Sequence, residues 1–288
     1  KELILKDLKN VFISRVSDKM LNCTDNLIIS GFIGVGTVGR YANYSMITQA
    51  IINILTILAN TIQPTIGDYF TEKNYRRNYE ILRQLTFVFF CISSVVAAGL
   101  FSLITPFICD IWLSPAYELG WGTAVLCIVV LLIKIMGLPL SLMMGVTGLF
   151  EKEKNAGASS AILNLVVSLA LVRPYGMTGV LLGTLLSYLL QICYRYVIFF
   201  RDFLEMKEEA IRYARDLGEY TAVMILEVAV TRRIIPLIYG NGGMIPFIFC
   251  FVLCILVPLA LNGVFFERGW RLQSIVKMVR GMKRSGSR

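Results

Sequence analysis

The chain has 288 residues, of which 56% are hydrophobic and 16% charged, with a mean hydropathy of +0.69 and a formal net charge of +9. Soluble domains carry about 25% charged residues, so this composition excludes an ordinary soluble fold and points to an integral membrane protein. The absence of histidine excludes any mechanism that needs imidazole as base, nucleophile or metal ligand.

Seven cysteines (Cys23, Cys91, Cys109, Cys127, Cys193, Cys250, Cys254) fall within or at the ends of apolar stretches and form no C-x-x-C pair. Buried cysteine usually behaves as a small hydrophobe, and neither disulfides nor a metal site nor any other cofactor is expected. Lys1 is not preceded by a methionine or a signal-peptide pattern, so the chain is expected to be part of a longer polypeptide.

A helix needs about 20 apolar residues to cross a bilayer. The pattern predicts eight such segments, near residues 11–33, 41–66, 85–109, 121–149, 156–175, 177–199, 217–239 and 245–266. The first carries Arg15, Asp18, Lys19, Asn22, Asp25, Asn26 and Ser30 at three- and four-residue spacings, which is one helical face. The second repeats the theme with Ser45, Gln49, Asn53, Thr56, Asn60 and Gln63. Asn, Gln, Ser and Thr also join membrane helices by hydrogen bonds. Two adjacent full-length stripes together favour a shared, water-filled cavity.

Between these segments, Gly34, Gly36 and Gly39 match the G-x-G-x-x-G turn of dinucleotide-binding folds. That turn needs a preceding strand and an acid about 20 residues on. Here it joins two apolar segments, and the next acid is Asp68, 29 residues after Gly39. A tight turn between helices is expected instead.

The fourth segment holds Lys134 near its middle, with Thr123, Cys127, Ser141, Gly145 and Gly148 on the same face. Gly137 and Pro139 are expected to bend it just beyond. A lysine this deep either pairs with a carboxylate, Asp25 or Glu227, or offers a cation to an anionic substrate. Arg15 lies nearer the inner surface, where it either snorkels or joins the same cavity.

The fifth and sixth segments are joined by "RPYGMTG", a proline and glycine turn. Gly179, Gly183 and Ser187 then form a small-xxx-small row, which close helix packing explains. Glu227, Arg232 and Arg233 interrupt the seventh segment. Asp18, Asp25 and Glu227 are candidate proton or sodium sites for a coupled transporter, with pairing to nearby bases as the other reading.

Lysines and arginines divide 23 to 4 between the two sides of this eight-segment scheme, Lys134 standing alone in mid-segment. This bias predicts both ends of the chain in the cytoplasm. The basic balance is thus an orientation signal and a contact with anionic lipid; no nucleic-acid partner is expected. The outer connections are short, the longest lying around "DIWLSPAYELGW". With no nucleophile motif either, no enzyme activity is expected.

The runs "NCTDNLIIS" from Asn22 and "VGRYANYSMI" from Val38 resemble polysaccharide biosynthesis proteins. These are the O-antigen-type flippases of the multidrug/oligosaccharidyl-lipid/polysaccharide exporter superfamily. "IGDYF", "TPFICDIWL", "GLFEKEK" and "NLVVSLALV…GMTGVLLGTLLS" follow in the family's order, so the resemblance covers about residues 10 to 200. Ser114 departs from it, standing where a glycine often follows "WL".

The resemblance implies an all-α polytopic bundle. Residues 1–200 would be the second, six-helix lobe of a two-lobe flippase. Residues 201–288 would supply a cytoplasmic linker, two additional membrane helices and a basic tail. It further implies transfer of undecaprenyl-pyrophosphate-linked oligosaccharide across a bacterial cytoplasmic membrane, by rocking of the two lobes. The partners implied are the lipid-linked substrate, the bilayer, the missing N-terminal lobe and glycan polymerase or assembly proteins. Lys134 and Arg15 are the candidates to meet the pyrophosphate. Asn22, Asp25, Gln49 and Asn53 are the candidates to bind sugar hydroxyls. An ion-coupled small-molecule exporter of the same superfamily and a non-transporting scaffold for glycan-assembly enzymes are the alternatives.

Overall fold

A computed structural model of the chain describes residues 12, 16, 19, 23–70, 75–240 and 243–266, with the side chains of 68–70 and 150 excepted. Every regular element among them is helical. In chain order these are α1 over 23–32, α2 (Val35–Phe70), α3 (Tyr75–Pro106), α4 (Trp121–Thr147), α5 (Phe150–Val197), α6 (Lys207–Tyr239) and α7 (Met244–Phe266). π-Helical turns extend α3 over Phe107–Trp112 and α5 over Ile198–Leu204.

Glycine sets the breaks. Gly34 has φ of 119°, open to glycine and strained for other residues, and its N–H donates to Ile29 O at 3.1 Å. This closes α1 and lets α2 start at once, while Gly36 and Gly39 are absorbed into α2. Of the three glycines expected to form the inter-helix turn, Gly34 alone does so. Gly148, at φ of 71°, ends α4 in the left-handed conformation common at helix C-termini.

Inside α5 the non-helical residue is Gly176 (φ 57°, ψ −137°), two residues after Pro174. Beyond it the chain folds back. Asn164 Nδ2 donates to Thr184 Oγ1 at 3.0 Å, Ser168 Oγ donates to Val180 O at 3.2 Å, and Arg195 reaches Glu153. The paired numbers rise on one limb as they fall on the other, so α5 is an antiparallel hairpin of limbs 150–175 and 177–197. The small-residue row lies at its seam: a Cβ at Gly179 would collide with the Leu171 carbonyl, and one at Gly183 with Ser168.

The helices form two compact units. The first contains α1, α2, α4 and α5; the second contains α3, α6 and α7. In the first, the second limb of α5 runs parallel to α4, as Thr123–Thr178, Lys134–Tyr188 and Gly137–Ile192 show by their near-constant offset. Gly137 leaves room for Ile192, which a Cβ would crowd at 3.0 Å. The second unit thus joins the third helix to the last pair, a grouping that the sequence division near residue 200 does not express.

In the second unit α3 runs parallel to α6, with Arg83 on Asp216, Phe90 on Tyr220 and Asp110 on Tyr239. It runs antiparallel to α7, with Ser94 on Asn262 and Phe107 on Phe247. Layers follow along this unit. An Arg83–Asp216 pair is succeeded by the rings of Phe87, Phe90, Tyr220 and Phe266, then by Ser94, Glu227 and Asn262, then by Leu103, Ile235, Cys250 and Cys254.

Five helices among the described residues are long and apolar enough to cross a membrane: Val35–Gly67, Tyr75–Trp112, Trp121–Thr147, Glu151–Leu204 and Met244–Phe266. The expected count of eight is not reached on that measure. The hairpin is a single member of the five although it contains two limbs, nine residues of the first segment lie outside the described residues so that its described helical run is 23–32, and α6 falls short. The charges at Glu219, Glu227, Arg232 and Arg233 lower the apolarity of α6.

Candidate functional site

Asp25 is the one charged side chain of α1 whose burial is described within the first unit's interior, at 4% exposure. Thr184, on the second limb of α5, places its hydroxyl 2.8 and 2.9 Å from the two carboxylate oxygens. The Val180 carbonyl is farther, at 3.2 Å, so the hydroxyl proton is better placed on Asp25. Asn164 completes the chain by donating to Thr184 Oγ1. Burying a polar group without a partner costs several kcal/mol in lipid-like surroundings, on the order of 2–7. This hydroxyl relay is how the apolar helix α5 accommodates a carboxylate from α1.

Next to this carboxylate is a cavity of about 30 Å³, room for one or two water molecules. Its lining combines Asp25 of α1 with Tyr41, Thr48 and Gln49 of α2, Cys127 and Lys134 of α4, and Thr184 of α5. Lys134 acts electrostatically on Asp25, and its Nζ lies 4.6 Å from the centre of the Tyr188 ring, within cation–π range. The aromatic face helps hold an ammonium at depth where desolvation would otherwise be costly.

Of the sequence-derived site residues, the structure brings Asp25, Gln49 and Lys134 into one cavity. Asn53 lies one turn beyond Gln49 and is exposed, as are Asn26 and Asn60. Arg15 and Asn22, with Asp18, lie outside the described residues. Glu227, the other acid offered as a partner for Lys134, belongs to the second unit. Gln63, from the same stripe, turns inward against Gly145.

Sequence reasoning missed Tyr41, Asn164 and Thr184. The last two stand in apolar helices, where a single polar residue signals little. Their pairing across the Gly176 turn, with Ser168 and Val180 one turn nearer the bend, was the available clue.

No cluster of three or more Asp, Glu or Cys side chains suited to a metal ion occurs among the described residues. The cavity places a carboxylate and an ammonium in one lining, with thiol, hydroxyl and amide groups around them. That arrangement can bind a polar or charged group without changing it covalently.

Helical architecture and apolar spans define a multi-pass membrane protein. No family model, no curated protein and no solved structure matches the chain.

Proposed function

We propose that this chain is the C-terminal part of a flippase that moves lipid-linked oligosaccharide across a bacterial cytoplasmic membrane, with about eight crossings and both ends in the cytoplasm. The observation that carries the reading is Lys134, a cation in mid-helix that lines a polar cavity together with Asp25 and Gln49. An anionic pyrophosphate is the kind of group such a cation would attract. At about 30 Å³ the cavity cannot hold a sugar, so the cargo must be met in a more open arrangement. The exposed amides of Asn53 and Asn60 on α2 would then extend the polar wall.

Asp25 favours a second reading, an ion-coupled exporter of small cationic molecules, because the same cavity presents a buried carboxylate. A paired substitution separates cargo binding by Lys134 from a structural pair. In the intact protein, Lys134→Met should abolish surface glycan and accumulate lipid-linked precursor on the inner leaflet. The double substitution Lys134→Met with Asp25→Asn should remain defective while folding normally. Recovery of export in the double variant would reduce Lys134 to a structural partner of Asp25. Loss of drug efflux with normal glycan would favour the exporter.

A further inference from the structure

The second unit encloses a carboxylate that the cavity of the first does not use. Glu227 is 0% exposed, and neither of its carboxylate oxygens receives a hydrogen bond among the described residues. Asn262 of α7, 4% exposed, likewise leaves its Oδ1 without a donor. Ser94 of α3 stands beside both: its hydroxyl is the donor nearest Glu227, outside hydrogen-bond geometry, and its oxygen accepts from Asn262 Nδ2 at 3.0 Å.

A count of protons shows what this cluster lacks. The hydroxyl of Ser94 has one hydrogen, which it donates to the Cys91 carbonyl, oxygen to oxygen 3.0 Å. Asn262 spends one of its two amide hydrogens on Ser94, and the Thr231 hydroxyl donates to the backbone carbonyl of Glu227 at 2.7 Å. Three buried side-chain oxygens therefore remain as acceptors: both of Glu227 and that of Asn262. One proton added to Glu227 converts an acceptor into a donor and removes the charge that burial opposes.

Among the described residues the surroundings supply no cation to pair with Glu227. On the α3 side the titratable neighbour is the Cys91 thiol. On the α7 side Cys254 is buried near Ser102. On α6 itself, Tyr220 stacks on Phe90 at 4.6 Å, while Arg232 and Arg233 are exposed. The Arg83–Asp216 pair lies beyond the aromatic layer, bonded at 2.6 Å. No ion pair to Glu227 is formed among the described residues. Aromatic rings on one side and the Leu103–Ile235–Cys250–Cys254 layer on the other keep water from the site.

We propose that Glu227 is a proton-binding site, loaded while α3, α6 and α7 enclose it and unloaded when they part. The site does not depend on the identity of the cargo; combined with the transport reading, on which that step rests, it names the proton as the coupling ion. Opening the three helices would expose Glu227 to water, where a carboxylic acid ionises at neutral pH. Closing them around the ionised form is disfavoured until a proton returns.

Infrared spectroscopy of the reconstituted protein, with glutamate labelled by carbon-13 at its carboxyl carbon, tests this directly. At neutral pH a protonated-carboxyl band should be present, shift with the label, vanish in Glu227→Gln and persist when potassium is replaced by sodium. Raising the pH should erase the band and lower the Tm of the native protein, whereas the Tm of Glu227→Gln stays level over that range. Absence of a labelled band at neutral pH overturns the proposal, since the group is then ionised. Loss of the band on adding sodium at constant pH also overturns it, in favour of an alkali-cation site. Should Glu227→Gln fail to fold, the label still separates glutamate from aspartate, and Glu227 is the fully buried glutamate among the described residues. None of these readouts moves if the flippase reading fails.

Discussion

Thr184 holds the carboxylate of Asp25 from 159 residues away in sequence, its hydroxyl 2.8 and 2.9 Å from the two oxygens. The contact ties α1 to the second limb of the α5 hairpin at the edge of the cavity. Thr184→Val keeps the shape and removes the hydroxyl. It also leaves Asn164 Nδ2 without the acceptor it has at 3.0 Å. Hydrogen bonds inside membrane proteins contribute about 0.6–2 kcal/mol, and two are lost here. Thermal unfolding of the purified protein should show a loss of about 1–3 kcal/mol, with Thr184→Ser close to the native value. An unchanged Tm for Thr184→Val would show that the relay contributes nothing to holding α1.

The hairpin seam gives a graded expectation. A Cβ at Gly179 would meet the Leu171 backbone carbonyl, which cannot rotate away. One at Gly183 would first meet the Ser168 hydroxyl, which can turn aside, with the nearest backbone atom, Ser168 N, at 2.9 Å. Gly179→Ala should therefore destabilise more than Gly183→Ala. Both fall in the range of about 1–3 kcal/mol typical of overpacking. Gly99→Ala, in α3 with nothing within 4 Å of the added carbon, should be neutral or stabilise by up to about 1 kcal/mol through helix propensity. Unfolding temperatures of the three variants, taken together, check the order.

Much of this arrangement was legible in the sequence wherever local chemistry decided it. Gly34 and the Pro174–Gly176 turn end helices by their backbone preferences, so the breaks beside them could be placed without tertiary information. Lys134, Asp25 and Gln49 were legible because a polar group at membrane depth needs a reason. The grouping of α3 with α6 and α7 was not. It rests on Arg83 meeting Asp216 and Phe90 meeting Tyr220, matches some 130 residues apart that no periodicity records. Thr184 and Asn164 were hidden for a related reason: each is a single small polar residue in an apolar helix, and only the fold-back at Gly176 shows that they face one another. Asn53 illustrates the converse limit, since a stripe drawn along α2 spans more of the helix surface than one cavity can use.

Charge pairs at the ends of the helices should differ sharply in what they contribute. Arg195 joins Glu153 across the open end of the hairpin, its Nε 2.9 Å from a carboxylate oxygen, with side chains 9% and 14% exposed. On the first turn of α3, Arg76 lies 3.8 Å from Glu80 with side chains 85% and 59% exposed. Removing one member of an enclosed pair strands the other charge, at a cost of about 3–5 kcal/mol. A solvated i,i+4 pair contributes roughly 0.3–0.5 kcal/mol. Arg195→Ala should thus lower the Tm strongly, and Arg76→Ala should leave it nearly unchanged. The combined substitution Arg195→Met with Glu153→Leu should recover much of the loss, because it removes the stranded charge together with its partner. A double-mutant cycle on unfolding measures the coupling. If the double variant is as unstable as Arg195→Ala alone, the loss comes from packing of the arginine stem, and the ion pair is not what closes the open end of the hairpin.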